Sequence, residues 1–140
     1  MANKELLDAL NQDRADELAA IIQYLRHHYL VEGLESPEIS SMFKSTAISE
    51  MKHAEALAER IAYLGGDPVT QPSKVKAGGD LKGMIKDDLD SENDAIKNYK
   101  AHIELAQKAG DVTTRRLLEK LLGDEEGHAN DWENVLGVKK

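Results

Sequence analysis

Hydrophobic side chains recur at spacings of three and four along most of the chain, and such spacing is typical of helices rather than strands. Aromatic and β-branched residues are sparse, whereas Ala, Leu, Glu, Lys and Asp dominate. The pattern predicts four helices, at about 3–32, 36–64, 81–109 and 112–136. Residues 65–79 contain two prolines and several glycines, and we expect an irregular connection there.

Residues that start and stop helices stand at the predicted boundaries. Gly33 should end the first helix, and Ser36 should cap the second, with Pro37 at its first helical position. Asp80 and Asp111 are expected to cap the third and fourth helices. The fold class is therefore all-α, one domain spanning residues 1–140, with two antiparallel helical hairpins that each have a tight turn.

The connection between the hairpins is long for a helix bundle. Fifteen residues at about 3.3 Å each could run the length of the bundle, whereas connections in bundles are usually about two to eight residues. We therefore expect a long crossover. Within the first helix, the apolar side chains expected on the same side as Glu17 are Leu7, Leu10, Ile21 and Tyr24.

An acidic–histidine pattern occurs twice, 75 positions apart: Glu17, Glu50 and His53, then Glu92, Glu125 and His128. A Glu and a His three positions apart project from one helical face. In both halves the residues centre on the hairpin turn, roughly 24 Å away at 1.5 Å per residue. Both hairpins can thus bring their polar residues to one level near the middle of the bundle.

These six side chains are candidate ligands of a dinuclear metal site. Their positions are in phase with the apolar stripe of each helix, and four uncompensated buried carboxylates would be very costly. Two divalent cations would cancel the four charges. Oxygen-rich ligands with one imidazole per metal favour iron, with manganese or zinc as substitutes. In this interpretation Glu50 and Glu125 bridge, and the other four residues are terminal. The alternative is that the glutamates are solvated surface residues.

The composition of the chain excludes several kinds of site and several classes of protein. The absence of cysteine excludes disulfides, iron–sulfur clusters and thiolate zinc sites. A net charge of −8 argues against a general nucleic-acid binder. The polar start has no signal-like apolar region, and no stretch approaches a membrane span, so a cytoplasmic protein is expected.

At this point the chain resembles the bacterioferritin branch of the ferritin-like superfamily over nearly its whole length. The matching strings are Gln23-Tyr24, Glu50-Met51-Lys52-His53-Ala54, Asp88-Leu89 with Glu92, Lys97-Asn98, and Asp124-Glu125-Glu126-x-His128. The resemblance implies a ferritin-like four-helix bundle and the same ligand roles. It also implies a di-iron ferroxidase centre, storage of ferric mineral in a homo-oligomeric cage, and a ferredoxin-like electron donor.

The resemblance assigns further roles. Met51 would ligate haem b or a related iron porphyrin across a two-fold subunit interface, with an ordinary interface methionine as the alternative. Tyr24 would donate electrons to the centre, or else be a core tyrosine. Trp132 is expected to be a core anchor. His27, His28 and His102 have no evident partners in the sequence, and we expect them at the surface or an interface.

One departure concerns assembly. Only four residues follow the fourth predicted helix, whereas bacterioferritins usually carry a fifth helix in a 24-subunit shell. Twelve subunits or a dimer become plausible alternatives. A competing function is peroxide removal at a di-iron or dimanganese centre without mineral storage, and a third is a metal-free bundle that binds a partner.

Overall fold

A computed structural model describes residues 3–138 and contains four helices in that range. They are α1 (Lys4–Leu30), α2 (Ser36–Tyr63), α3 (Leu81–Lys108) and α4 (Val112–Leu136). The predicted bounds agree within about two residues. Among the described residues, no helix carries an apolar stretch long enough to cross a bilayer.

Three of the four helices begin with a side-chain cap. The side chains of Asn3, Asp80 and Asp111 accept hydrogen bonds from backbone N–H groups in the first turns of α1, α3 and α4. The prediction of Ser36 as N-cap was wrong. Ser36 is the first residue of α2, and Glu35 precedes it without a side-chain capping bond. Proline near the helix start needs no N–H partner, which lessens the need for a cap.

Glycines in the left-handed region form the two hairpin turns. Gly33 has φ of 113° and Gly110 has φ of 71°, values that are unfavourable for residues with a side chain. The hairpins are α1–α2 and α3–α4, and α1 packs on α3 more extensively than α2 packs on α4. Cross-helix contacts pair Asp13 with His102 and His27 with Asp88, so α1 and α3 are antiparallel.

The segment between α2 and α3 is the predicted long crossover. It follows α1 through hydrogen bonds that run from Asn11, which donates to Asp67 O, to Arg26, which donates to Ala77 O. Ser73 N donates to the carbonyl of Ala15 between these points. The fifteen helical steps from Asn11 to Arg26 correspond to about 22 Å of helix. The crossover therefore spans half of the bundle length or more, and α3 starts beside the end of α1.

Two apolar clusters form the core, and a polar layer separates them. The first contains Leu6, Leu10, Leu57, Ile61, Tyr99, Ala106, Leu118 and Leu121. The second contains Tyr24, Ile39, Phe43, Ala47, Met84, Ile85 and Trp132. Of the apolar residues predicted on the Glu17 side of α1, Leu10 and Tyr24 are buried, whereas Leu7 and Ile21 are only half-buried. Leu6, one position before Leu7, is buried instead.

Candidate metal centre

The polar layer contains all six residues of the repeated acidic–histidine pattern. The four carboxylates and His53 are at most 3% exposed, and the side chain of His128 is 14% exposed. The helix phases explain this burial, because each glutamate lies one or two turns from an apolar core residue of its own helix. The alternative of solvated surface glutamates is wrong.

The six side chains form two overlapping groups of potential ligands. In the first group, Nδ1 of His53 lies 3.4 Å from Glu17 Oε2, 3.2 Å from Glu50 Oε1 and 3.3 Å from Glu125 Oε1. In the second, Nδ1 of His128 lies 2.8 Å from Glu92 Oε2, 3.1 Å from Glu125 Oε1 and 3.5 Å from Glu50 Oε1. Within each group one ligand atom per residue lies within 4.8 Å of all the others. Glu50 and Glu125 belong to both groups, as bridging ligands would.

The side-chain atoms that face one another in the centre make no hydrogen bond. The buried side-chain atoms of the centre without a hydrogen-bond partner among the described residues are Glu17 Oε2, Glu50 Oε1, Glu92 Oε2, both carboxylate oxygens of Glu125, and Nδ1 of His53 and His128. Buried polar atoms are almost always paired. A converging set of unpaired carboxylate oxygens and imidazole nitrogens fits hard or borderline divalent cations.

Electrostatics in the metal-free state support this interpretation. Burial, together with the charge of Glu125, raises the pKa of Glu17 from 4.5 to about 7. Burial and the neighbouring carboxylates also raise the pKa values of Glu50 and Glu92 well above the usual range. Burial alone would lower the pKa of His53, but attraction to the surrounding carboxylates raises it. The carboxylates therefore take up protons unless positive charge compensates them.

Two residues around the centre were not among the predicted site residues. The hydroxyl of Tyr99 donates a 2.7 Å hydrogen bond to Glu17 Oε1. Asp124 Oδ2 lies 2.9 Å from Nε2 of His53, the ring nitrogen that points away from the other ligands. Asp124 precedes Glu125 and Tyr99 follows Glu92 by seven positions. Helical spacing alone could therefore have suggested that Tyr99 lies near the site.

Tyr24 and Met51, the two further predicted site residues, lie in different surroundings. Tyr24 is fully buried, and its hydroxyl accepts a 2.8 Å hydrogen bond from Nε1 of Trp132, a core residue as expected. Tyr24 makes no hydrogen bond to a ligand residue within the part of the chain that the structure describes. Met51 is 49% exposed on the outer side of α2. The electron-donor role and the haem role both stay predictions.

The prediction that His27 lies at the surface or an interface was wrong, whereas His102 is partly exposed but has a partner that the sequence interpretation did not recognise. His27 is fully buried, with Nδ1 2.8 Å from Asp88 Oδ2, and Nδ1 of His102 lies 2.7 Å from Asp13 Oδ2. The sequence contained the signal, because Asp13 and Asp88 are 75 positions apart, as are His27 and His102. The internal repeat thus includes two Asp–His pairs between α1 and α3, one on each side of the centre. His28 is half-buried and contacts Ser40.

The two Asp–His pairs should differ in their contribution to stability. His27→Ala leaves Asp88 buried without its imidazole partner, and we expect it to lower the free energy of unfolding by about 3–5 kcal/mol. His102→Ala should cost less, because the His102 side chain is 15% exposed and its removal would let water reach Asp13. Urea denaturation of the two variants measures the difference. An equal loss would show that burial of the pair does not set its importance.

A cavity of about 360 Å³ connects the centre with the region between α1, α3 and the crossover. Glu17, Glu50, Glu92 and Glu125 line it at the centre. Ser73 and Lys74 line it from the crossover, where Ser73 Oγ donates a hydrogen bond to Asp16. The cavity is thus a potential access route from the α1–α3 side.

The chain is similar in sequence and fold to known proteins. The model of the ferritin-like domain matches residues 7–139. A bacterioferritin of Desulfovibrio desulfuricans is 37% identical over 132 residues, which cover 94% of this chain and 74% of the relative. A ferritin-like, diiron-carboxylate protein from Bacillus anthracis superimposes with a TM-score of 0.94 at 34% identity, covering 97% of this chain and 99% of the other. BfrA from M. tuberculosis has a TM-score of 0.93 at 30% identity, covering 98% and 86%.

These matches span nearly the whole chain and include the helices that carry all six residues of the polar layer. They confirm the resemblance on which the sequence interpretation depended. The chain belongs to the ferritin-like family, and within it to the bacterioferritins.

Proposed function

We propose that the protein is a ferroxidase that oxidises Fe(II) to Fe(III) at a dinuclear centre and stores the ferric product. Membership of the bacterioferritins supports iron handling. The observation that carries the proposal is the set of converging, unpaired carboxylate oxygens and imidazole nitrogens inside one subunit. The proposed ligands of one ion are Glu17 and His53, those of the other are Glu92 and His128, and Glu50 and Glu125 are shared.

For this reaction the protein has to bind the two iron ions, compensate their charge and give iron and oxidant access to the centre. Two Fe(II) ions supply two electrons, which with two protons reduce dioxygen to hydrogen peroxide or reduce peroxide to two water molecules. The four carboxylates balance the charge of the two ions, and the imidazoles bind as neutral ligands. The apolar clusters on both sides exclude water from the layer, while the cavity beside α1 and α3 admits iron and oxidant. Tyr24, two turns from Glu17, is proposed as an electron donor.

Storage requires an enclosed space, and we propose a homo-oligomeric cage of 12 or 24 subunits built from two-fold dimers. The protein acts as one ferritin-like domain in the cytoplasm, with a ferredoxin-like protein as electron donor for iron release. Supporting a dimer, α1 and α2 carry half-exposed apolar side chains on their outer faces: Ile22, Ile48 and Met51 are 42–49% exposed. Met51 would ligate the haem iron at that interface.

Iron loading tests the proposal against its alternative. Fe(II) is added in air to the assembled, metal-free protein in steps up to several hundred ions per cage, and ferric absorbance, native mass and peroxide consumption are followed. A storage protein accumulates far more than two irons per subunit. A peroxide-scavenging di-iron or dimanganese enzyme stops near two metal ions per subunit and turns over peroxide. A protein that binds no metal would overturn both functions.

Haem binding depends on Met51 in this proposal. We expect Met51→Ala to abolish the Soret band of the haem-reconstituted protein, because the thioether that would hold the haem iron is lost, while Fe(II) oxidation persists. Visible spectroscopy of the two proteins measures this. Met42→Ala, a change at a half-buried methionine of the same helix, serves as the control and should keep the band. A Soret band retained in Met51→Ala would refute the assignment.

The role of Tyr24 is testable separately. Tyr24→Phe keeps the ring in the core and removes only the hydroxyl that accepts from Trp132. If Tyr24 supplies electrons, the variant should lack the tyrosyl radical signal that follows Fe(II) oxidation and should still bind two metal ions per subunit. Freeze-quenched electron paramagnetic resonance detects the radical. An unchanged signal in the variant would assign it to another residue.

A further inference from the structure

The two proposed metal positions are related by the internal repeat, but their surroundings are not equivalent. The counterpart of Asp124, 75 positions earlier, is Ser49, and the counterpart of Trp132 is Leu57. The tyrosines Tyr24 and Tyr99 correspond to each other. The repeat therefore preserves the six proposed ligands, whereas Asp124 and Trp132, which contact side chains around the centre, have no equivalent in the first half.

The first difference concerns the imidazoles. Nε2 of His53 lies 2.9 Å from Asp124 Oδ2, and Lys120 Nζ donates a 3.0 Å hydrogen bond to the same oxygen. For His128, the nitrogen that points away from the centre has no hydrogen-bond partner within residues 3–138. A carboxylate on the far nitrogen fixes the tautomer and orientation of an imidazole that binds metal through the other nitrogen. Only His53 has this support.

The second difference concerns the terminal carboxylates. Tyr99 donates its hydroxyl to Glu17 Oε1 at 2.7 Å, which holds Glu17 in one orientation with Oε2 facing the centre. On the other side, the hydroxyl of Tyr24 accepts from Trp132. Among the described residues, the close polar contact of Glu92 is with His128, a residue of the centre itself, and no tyrosine hydroxyl holds Glu92 as Tyr99 holds Glu17. Leu57, the counterpart of Trp132, has no N–H group that could engage Tyr99 in the same way.

We propose that the two metal positions differ in affinity, and that the position formed by Glu17 and His53 fills first and holds its ion more tightly. Asp124 and Tyr99 act as positioning residues, because they orient the terminal ligands before the ion arrives. At the position formed by Glu92 and His128, both side chains lose conformational entropy when the ion binds. The His128 side chain is also more exposed than that of His53. This inference rests on the proposed dinuclear centre.

Zinc titration tests the inference without any redox reaction. The metal-free full-length protein is titrated with Zn(II) by calorimetry, and crystals of protein with half an equivalent of Zn(II) per subunit are examined by anomalous scattering. We expect two binding steps with dissociation constants at least tenfold apart, and an anomalous peak beside Glu17 and His53. Equal peaks, or a stronger peak beside Glu92 and His128, would overturn the inference and leave the proposed function intact. An absence of binding would overturn both.

Variants identify the residues responsible. Asp124→Ser introduces the residue type found at position 49, and Tyr99→Phe removes one hydroxyl; each should weaken the first step by about 10- to 100-fold, a typical effect of losing a partner of a metal ligand. The second step should change much less. Asp124→Asn keeps an oxygen acceptor for His53 and should recover most of the affinity.

Two control variants complete the design. Asp131→Ser makes the same replacement at an exposed position of α4, and Tyr24→Phe removes the corresponding hydroxyl on the other side. Both should leave the ratio of the two dissociation constants unchanged. If Tyr24→Phe changes the first step as much as Tyr99→Phe does, or if Asp124→Ser weakens both steps equally, the positioning roles are refuted. The anomalous measurement on the unaltered protein needs no variant to fold.

Discussion

Replacing Glu50 with glutamine should abolish rapid Fe(II) oxidation while stabilising the metal-free protein. Glu50 belongs to both groups of potential ligands, so its loss disturbs both proposed metal positions. An amide cannot bridge two cations as a carboxylate does, and we expect the rate to fall by at least about 100-fold, equivalent to about 2.7 kcal/mol in the barrier.

The stabilisation has a different origin from the loss of activity. Burial and neighbouring carboxylates raise the pKa of Glu50 well above its usual range, so keeping the side chain buried costs free energy at neutral pH. Glutamine removes that cost, and we expect about 1–3 kcal/mol more stability at pH 7. A raised carboxyl pKa penalises folding more as the pH rises. The gain should therefore be absent near pH 4 and grow toward pH 8.

Stopped-flow absorbance and urea denaturation of the metal-free proteins measure the two effects. Glu55→Gln is the matched control, because Glu55 is exposed on the same helix and should change neither. If Glu50→Gln destabilised the metal-free protein, the carboxylate would be part of a structural hydrogen-bond network. If the variant oxidised iron at the normal rate, the ligand assignment would fail.

Divalent metal ions should raise the melting temperature of the metal-free protein by roughly 10–20 °C at neutral pH. A ligand at 1,000 times its dissociation constant stabilises the folded state by about 4 kcal/mol. For a chain of this size each kcal/mol corresponds to about 3–5 °C. Zn(II) or Mn(II) suits the measurement because neither is oxidised by air, and differential scanning calorimetry with and without a chelator supplies it.

The metal effect should depend on pH in a defined direction. The pKa of Glu17 is raised to about 7 and that of Asp13, mainly by burial, to about 6. Each group contributes stability that is complete below its unfolded pKa, near 4, and is lost as the pH rises through the folded value. The metal-free protein should therefore lose stability between about pH 4.5 and 7, and the metal-induced shift should be larger at pH 7.5 than at pH 5.

Substitution separates the ligand effect from the general effect of pH. Glu17→Gln should reduce the metal-induced shift, whereas Glu5→Gln, an exposed change on the same helix, should not. The two nearby imidazoles lower the pKa of Glu125, against the effect of burial, and it does not titrate in this range. A shift that is equal at both pH values would contradict the electrostatic account of the centre.

Local sequence signals were sufficient for the helices and for the six residues of the centre. The apolar spacing, the capping aspartates and the turn glycines act within a few residues of one another, so their effect is readable without tertiary contacts. The repeat of Glu17, Glu50 and His53 at Glu92, Glu125 and His128 also needed only the sequence, because helical rise converts equal distances from a turn into equal heights.

Tertiary structure decided the interactions that join different helices. Asp124 meets His53 from another helix, Tyr99 reaches Glu17 across α1 and α3, and His27 is buried against Asp88. Each depends on the rotation of one helix relative to its neighbour, which apolar spacing constrains only to within about one helical step. That uncertainty also explains why Leu7 was expected in the stripe that Leu6 occupies. The residue types for a metal centre were thus determined by the sequence, whereas packing alone determined which ligands receive a supporting hydrogen bond.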